Sequence, residues 1–149
     1  MSLGNFSKGK FTPKNPAKYV GLRDPLYRSS WEWTFMNMCD SHPNIISWAS
    51  ESIKIPYRDP LSGKQTVYVP DFLIQYQDKN GTKLTELVEI KPANQMLKEK
   101  VGKNAYNQAQ FVKNQAKWAA ASAWCTQNGI VFRIINEHDI FHNPKKIKK

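Results

Sequence analysis

A chain of 149 residues is long enough to bury a core of its own and short enough to form one domain. With 40% hydrophobic and 12% aromatic residues it is not a disordered tail, and it has no apolar run long enough to span a bilayer. The formal charge of +10, from 22 Lys and Arg against 12 Asp and Glu, points to a polyanionic partner: nucleic acid before acidic lipid or protein.

Met1–Val20 carries lysines but no acidic residue and no apolar signal core, so residues 1–20 read as an extended basic arm rather than a leader. The first helix is expected from Ser29 or Ser30 to about Asp40. Ser29-x-x-Glu32 has the form of a capping box, and Trp31, Phe35 and Met38 recur at helical spacing. His42-Pro43-Asn44 stops it. A strand is expected over Ser52–Tyr57, then a turn at 58–63, a long strand over Thr66–Tyr76, a hairpin connection at 78–82 and a returning strand over Leu84–Lys91. Pro92 ends that strand, since it cannot donate to a ladder.

A long helix follows over about Ala105–Gln127, where Ala116, Ala119, Ala120 and Ala123 would allow close approach to a sheet, and Trp118 and Trp124 read as core. Asn128-Gly129 stops it, and Ile130–Ile135 is a last strand. Residues 144–149 form a second basic tail, leaving 21–143 as the folded domain. Cys39 and Cys125 fit buried thiols in a reducing compartment, and the three histidines form no zinc spacing with them.

The hairpin carries the chemistry. If Lys79-Asn80-Gly81 is a three-residue loop with glycine left-handed, Asp78 pairs with Thr82 and Asp71 falls opposite Glu89. Phe72 then faces Val88 and Tyr76 faces Leu84 on one side, while Leu73 faces Leu87 on the other, beside the carboxylates. A two-residue loop of Asn80-Gly81 would set Asp71 against Ile90 and mix the faces, which the apolar pattern disfavours. Opposed side chains have Cβ atoms about 4.5–5.5 Å apart, where like charges repel and a cation between them removes the repulsion.

Lys91, two residues after Glu89, points to the same face and is suited to a phosphate or its attacking water. Glu32 shares a helix face with Phe35, Met36 and Cys39, and so would arrive beside the sheet as a further ligand or a water-orienting group. Hard oxygen donors favour Mg²⁺ or Mn²⁺ over zinc. Each residue also has a plain structural reading: Glu32 as cap alone, Asp71 as a strand-edge residue, Glu89 and Lys91 as one polar strand face.

Pro70-Asp71 and Glu89-Ile90-Lys91, with Glu32 on the preceding helix, resemble the signature of the PD-(D/E)XK nuclease superfamily. That resemblance implies a restriction-endonuclease-like α/β core: a helix, a three-stranded antiparallel meander, a helix and a strand. Longer stretches are similar to the head completion nucleases of T-even-like tailed phages. These are Gly9-Lys10-Phe11-x-Pro13-Lys14-Asn15, Lys18-Tyr19-Val20-Gly21, Tyr27-Arg28-Ser29-Ser30-Trp31-Glu32, Trp48-Ala49-Ser50-Glu51, Ile55-Pro56-Tyr57, Pro70-Asp71-Phe72, Glu89-Ile90-Lys91-Pro92 with Gln95, and Asn114-x-x-Lys117-Trp118-Ala119-Ala120. Val69 departs from the aromatic residue expected before the proline.

The resemblance implies a virion protein that acts after DNA packaging and before tail joining. Double-stranded DNA would be its substrate, and capsid portal or neck proteins its neighbours. Asp71 and Glu89 would hold metal, with Glu32 and Lys91 completing the catalytic set. Arg28, Gln95, Asn114 and Lys117 would contact DNA. Two other readings stay open: a neck protein that binds DNA without cutting it, and a junction-specific nuclease. On the nucleic-acid reading, DNA affinity measured by fluorescence anisotropy should fall by about 10³-fold between about 50 and 200 mM salt, as expected for about six neutralised phosphates. A flat salt response would contradict it.

Overall fold

The computed structural model describes residues 8–92 and 104–141. Helix α1 (Ser30–Ser41) precedes strand β3 (Ile45–Ser50). Strands β4 (Ile55–Arg58) and β5 (Gln65–Tyr68) lead into β6 (Phe72–Gln77) and β7 (Lys83–Ile90), followed by α2 (Ala105–Gln127), β8 (Val131–Ile135) and the short α3 (Glu137–Phe141). Near the N-terminus, β1 (Gly9–Lys10) pairs with β2 (Leu26–Tyr27). The main sheet has the order β3-β6-β7-β8, antiparallel except for the parallel β7–β8 pair. This is an α/β fold of the restriction-endonuclease-like class.

The expected first strand of the meander is corrected. Ser52–Tyr57 does not enter the main sheet: its second half is β4, which pairs only with β5 as a separate two-stranded hairpin. The meander instead begins with β3, directly after the helix stop. The long strand expected over 66–76 is broken into β5 and β6, because Pro70 cannot donate to a ladder and the chain leaves the hairpin there to join the sheet.

The β6–β7 register is the three-residue-loop register, with Phe72 against Val88, Leu73 against Leu87 and Tyr76 against Leu84. Asp78 N–H donates to Thr82 O at 2.9 Å, and Gly81 sits at φ +81°, a conformation that glycine alone adopts without strain.

Strand alternation divides the core into two layers. Phe72, Ile74, Tyr76, Val88 and Ile90 pack with Phe35, Met36 and Cys39 of α1 and with Trp48. On the opposite face Leu73 and Leu87 pack with Trp118, Ala121 and Cys125 of α2 and with Ile55, Tyr57 and Tyr68 of the hairpin. The buried stripe of α2 is therefore Asn114, Trp118, Ala121 and Cys125, at helical spacing, while Ala119 and Ala123 face solvent. The alanine cluster expected to meet the sheet does so only through Ala116 and Ala120.

Residues 1–7 and 144–149 of the two expected basic ends lie outside the described residues. From residue 8 the N-terminal segment is fastened to the body. Phe11 is buried against Trp33 and Trp48, and Tyr19 packs edge-on against Trp48 at 4.6 Å. Asp40, 2% exposed, accepts the backbone N–H groups of Lys14 and Asn15 at 2.9 and 3.0 Å, while Asn15 returns a side-chain N–H to Asp40 O. Asp40→Ala removes the carboxylate that accepts from both backbone N–H groups, and a hydrogen bond to a charged group contributes about 1.5–3 kcal/mol. Urea denaturation should show a loss of about 2–4 kcal/mol, whereas a loss below about 0.5 kcal/mol would mean the segment is held by its aromatic packing alone.

Candidate active site

The acidic residues meet where the β6–β7 ladder ends. Asp71 lies one residue before β6, and its Oδ2 accepts the Ile90 N–H at 2.8 Å, so the side chain caps the ladder in place of a backbone carbonyl. The backbone O of Asp71 accepts the Glu51 N–H at 2.9 Å, which ties the same residue to the end of β3. Glu89 is the penultimate residue of β7 and is 7% exposed. Lys91 follows in step; its backbone N–H donates to Ile135 O, and its Nζ lies 3.8 Å from Glu89 Oε2.

Glu32 enters from α1. Ser29 caps the helix by accepting the Glu32 N–H at 3.2 Å. The reciprocal half of a capping box would run from Glu32 to the Ser29 N–H; here Glu32 Oε1 accepts the Arg28 N–H instead, at 3.1 Å. The Arg28 guanidinium makes a two-pronged pair with Glu51, at 2.9 and 3.1 Å. Glu51 has φ +49°, a left-handed backbone that costs a non-glycine residue about 1–3 kcal/mol and is found preferentially at functional sites. A groove of about 540 Å³ runs beside this pair, lined by Arg23, Lys54, Ser50 and Val69 among others.

The carboxylates feel one another. Asp71 is pushed well above the usual carboxylate range, first by desolvation and then by the charges of Glu89 and Glu32. Glu89 and Glu32 are also raised, each chiefly by burial; Lys91 counteracts this at Glu89, and the Arg28 N–H does so at Glu32. Lys117 of α2 borders the same centre, its pKa lowered by burial and by Lys91 while Glu89 pulls the other way. Asn114 is buried one turn earlier on α2, Arg28 is exposed at the rim, and Gln95 lies outside the described residues.

Glu89 Oε1 is buried and makes no hydrogen bond of full bonding geometry, while Oε2, 3.8 Å from Lys91 Nζ, is the oxygen left to face a cation. Among the described residues no three His, Cys, Asp or Glu side chains are close enough to enclose an ion. Mg²⁺ keeps several waters and takes only one or two carboxylates, so two hard-oxygen donors are the number such an ion would use here. The donor set therefore fits a hydrated Mg²⁺ or Mn²⁺ on Asp71 and Glu89.

A helix and an antiparallel three-stranded sheet closed by a parallel fourth strand define a restriction-endonuclease-like fold, with a carboxylate pair and a lysine gathered at the sheet end. Residues 42–137 match the TnsA-like endonuclease N-terminal family, and the chain belongs to that family. It is also 36% identical over 141 residues to the head completion nuclease of Enterobacteria phage T4, an alignment covering 87% of this chain and 90% of that protein.

Glu51 appears among the sequence matches without a role; nothing in the sequence signals its left-handed backbone or its grip on Arg28. Tyr68 was not singled out, because an aromatic residue in a strand reads as core.

The carboxylate cluster has a sign that can be tested. A carboxyl whose folded pKa is raised favours the protonated form in the fold, so its contribution to stability declines as pH rises from the unfolded value of about 4. Asp71→Asn keeps an acceptor for the Ile90 N–H and removes the charge. Without divalent metal it should stabilise the protein by about 0.5–2 kcal/mol at pH 7.5, and by less at pH 5. Urea denaturation at both values checks this, and a variant less stable than the wild type at pH 7.5 would contradict it.

Proposed function

We propose that this protein is a Mg²⁺- or Mn²⁺-dependent endodeoxyribonuclease that hydrolyses phosphodiester bonds of double-stranded DNA during phage head completion, after packaging. The observation that carries the reading is the pairing of Asp71 and Glu89 at the sheet end with Lys91 in step, on a chain that belongs to an endonuclease family. The head completion nuclease of phage T4, alike over most of both chains, supports the biological setting. On this reading the protein works in the host cytoplasm and the head–neck region of the virion, beside portal or neck proteins. No helix among the described residues is long and apolar enough to cross a membrane.

A divalent ion held by Asp71 and Glu89 would supply a more acidic bound water and a polarised phosphate. Lys91 would donate from Nζ to a non-bridging phosphate oxygen and stabilise the charge that develops as water attacks phosphorus. Glu32, its pKa raised chiefly by burial and its side chain fixed by the Arg28 N–H, would orient the attacking water and accept its proton. The leaving sugar oxygen takes a proton from solvent. Lys117, Arg28, and Arg23 and Lys54 of the groove beside Glu51 would hold the backbone on either side of the scissile bond.

Cleavage of plasmid and linear duplex DNA with Mg²⁺ or Mn²⁺ tests this directly. Cutting should require the metal and fall by about 10²–10³-fold in Lys91→Ala, the cost of removing one charge-stabilising donor. Metal-independent cutting, or equal rates in both proteins, would contradict the reading. Salt-sensitive binding with no cutting by either would favour the neck protein that binds DNA, and preference for four-way junctions over linear duplex would favour the junction nuclease.

A further inference from the structure

Three buried polar atoms meet on the α2 side of Glu89, and none of them makes a hydrogen bond of full bonding geometry. They are Glu89 Oε1, Tyr68 Oη at the end of β5, and Trp118 Nε1 on α2. Tyr68 is 5% exposed and Trp118 8%, so solvent does not compensate them. Two further orphans, Trp48 Nε1 and Glu86 Oε1, lie in the other core layer, apart from these three and from the site.

The three belong together. The Tyr68 hydroxyl lies between the Glu89 carboxylate and the Trp118 indole N–H, within reach of a weak hydrogen bond to each, and the Glu89 charge adds to burial in raising its pKa. The Tyr68 ring is itself held, packed in one core layer with Trp118 and with Lys117 Nζ over its face at 5.7 Å. Donors and acceptor are complementary: an indole N–H, then a hydroxyl that both accepts and donates, then a carboxylate oxygen. A buried hydroxyl without a full hydrogen bond costs up to about 1–3 kcal/mol, and phenylalanine would fill the same space without that cost.

We propose that Trp118 and Tyr68 form a donor relay that seizes Glu89 Oε1 when the site is loaded, fixing the carboxylate so that Oε2 is presented to the cation. Tyr68 and Trp118 are thus positioning residues acting through Glu89, in the way outer partners orient metal-binding carboxylates. The β4–β5 hairpin then has a task beyond covering the core, since its last residue reaches the reaction centre from outside the main sheet. The proposal rests on Glu89 being a metal ligand.

Calorimetric titration with Mn²⁺ of the wild type, Tyr68→Phe, Trp118→Phe and the double variant tests it without DNA. Tyr57→Phe, in the same hairpin and core layer, is the control. Tyr68→Phe should weaken Mn²⁺ binding about tenfold or more, the usual scale for losing an outer partner, while leaving the thermal midpoint of the metal-free protein unchanged or higher. Trp118→Phe should act in the same direction, and the double variant should lose little more than Tyr68→Phe, because the indole acts through the hydroxyl. Saturating Mn²⁺ should restore the cleavage rate of Tyr68→Phe.

A merely structural tyrosine would give the reverse, a lower thermal midpoint with unchanged affinity, and that result overturns the proposal. Unchanged Mn²⁺ binding in both single variants, beside normal binding by the wild type, overturns the relay alone. No Mn²⁺ binding by the wild type overturns the metal reading of the site and the relay with it.

Discussion

Two carboxylates held across the end of an antiparallel pair repel one another, and much of this molecule is arranged to keep them there. The left-handed Gly81 fixes the loop, the loop fixes the register, and the register brings Asp71 to the level of Glu89. Pro70 ends the hairpin so that Asp71 can leave the ladder and use a side-chain oxygen, not its carbonyl, to accept the Ile90 N–H. The backbone of Glu51, in a conformation costly for its residue type, holds Asp71 from the other side. A scaffold that spends stability on such a contact is what a preformed binding centre requires.

The two core layers contribute different groups to that centre. The layer beneath α1 delivers Glu32 at the first turn of the helix, where the Ser29 cap sets its direction. The layer beneath α2 delivers Lys117 at the border, and Tyr68 and Trp118 behind Glu89. The Asp59–Lys113 pair, at 3.8 Å, ties the inserted hairpin to the helix that shares this layer. On the proposed nuclease reading the basic excess of the chain would serve a separate purpose from the site itself, holding a polyanion near carboxylates that would otherwise repel it.

Much of this was legible in the sequence, and the parts that were not have physical causes. The hairpin register could be read because period-2 alternation and one turn glycine each allow few solutions, and both agreed. Helix α1 declared itself through its cap, and α2 and β8 through length and the Asn128-Gly129 stop. Strand β3 was missed because Ile45–Ser50 follows the helix stop closely and alternates poorly; Trp48 and Ala49 are adjacent and both buried. The separate β4–β5 hairpin was missed because pairing between strands is a tertiary choice that local pattern does not encode. At the site, Asp71 stood out as a carboxylate in an apolar run, Glu89 and Lys91 through their register and spacing, and Glu32 through its place on the capped helix. Tyr68 and Trp118 did not, since an aromatic side chain with a polar tip looks like core until its weakly bonded atom is seen.

The most direct test is anomalous diffraction from crystals of the wild-type protein equilibrated with Mn²⁺ near neutral pH. The account predicts one strong peak between Asp71 and Glu89, with Glu89 Oε2 turned to it and Lys91 Nζ close by. Absence of a peak at that place, or a peak bound elsewhere with Asp71 and Glu89 unmoved, would contradict it.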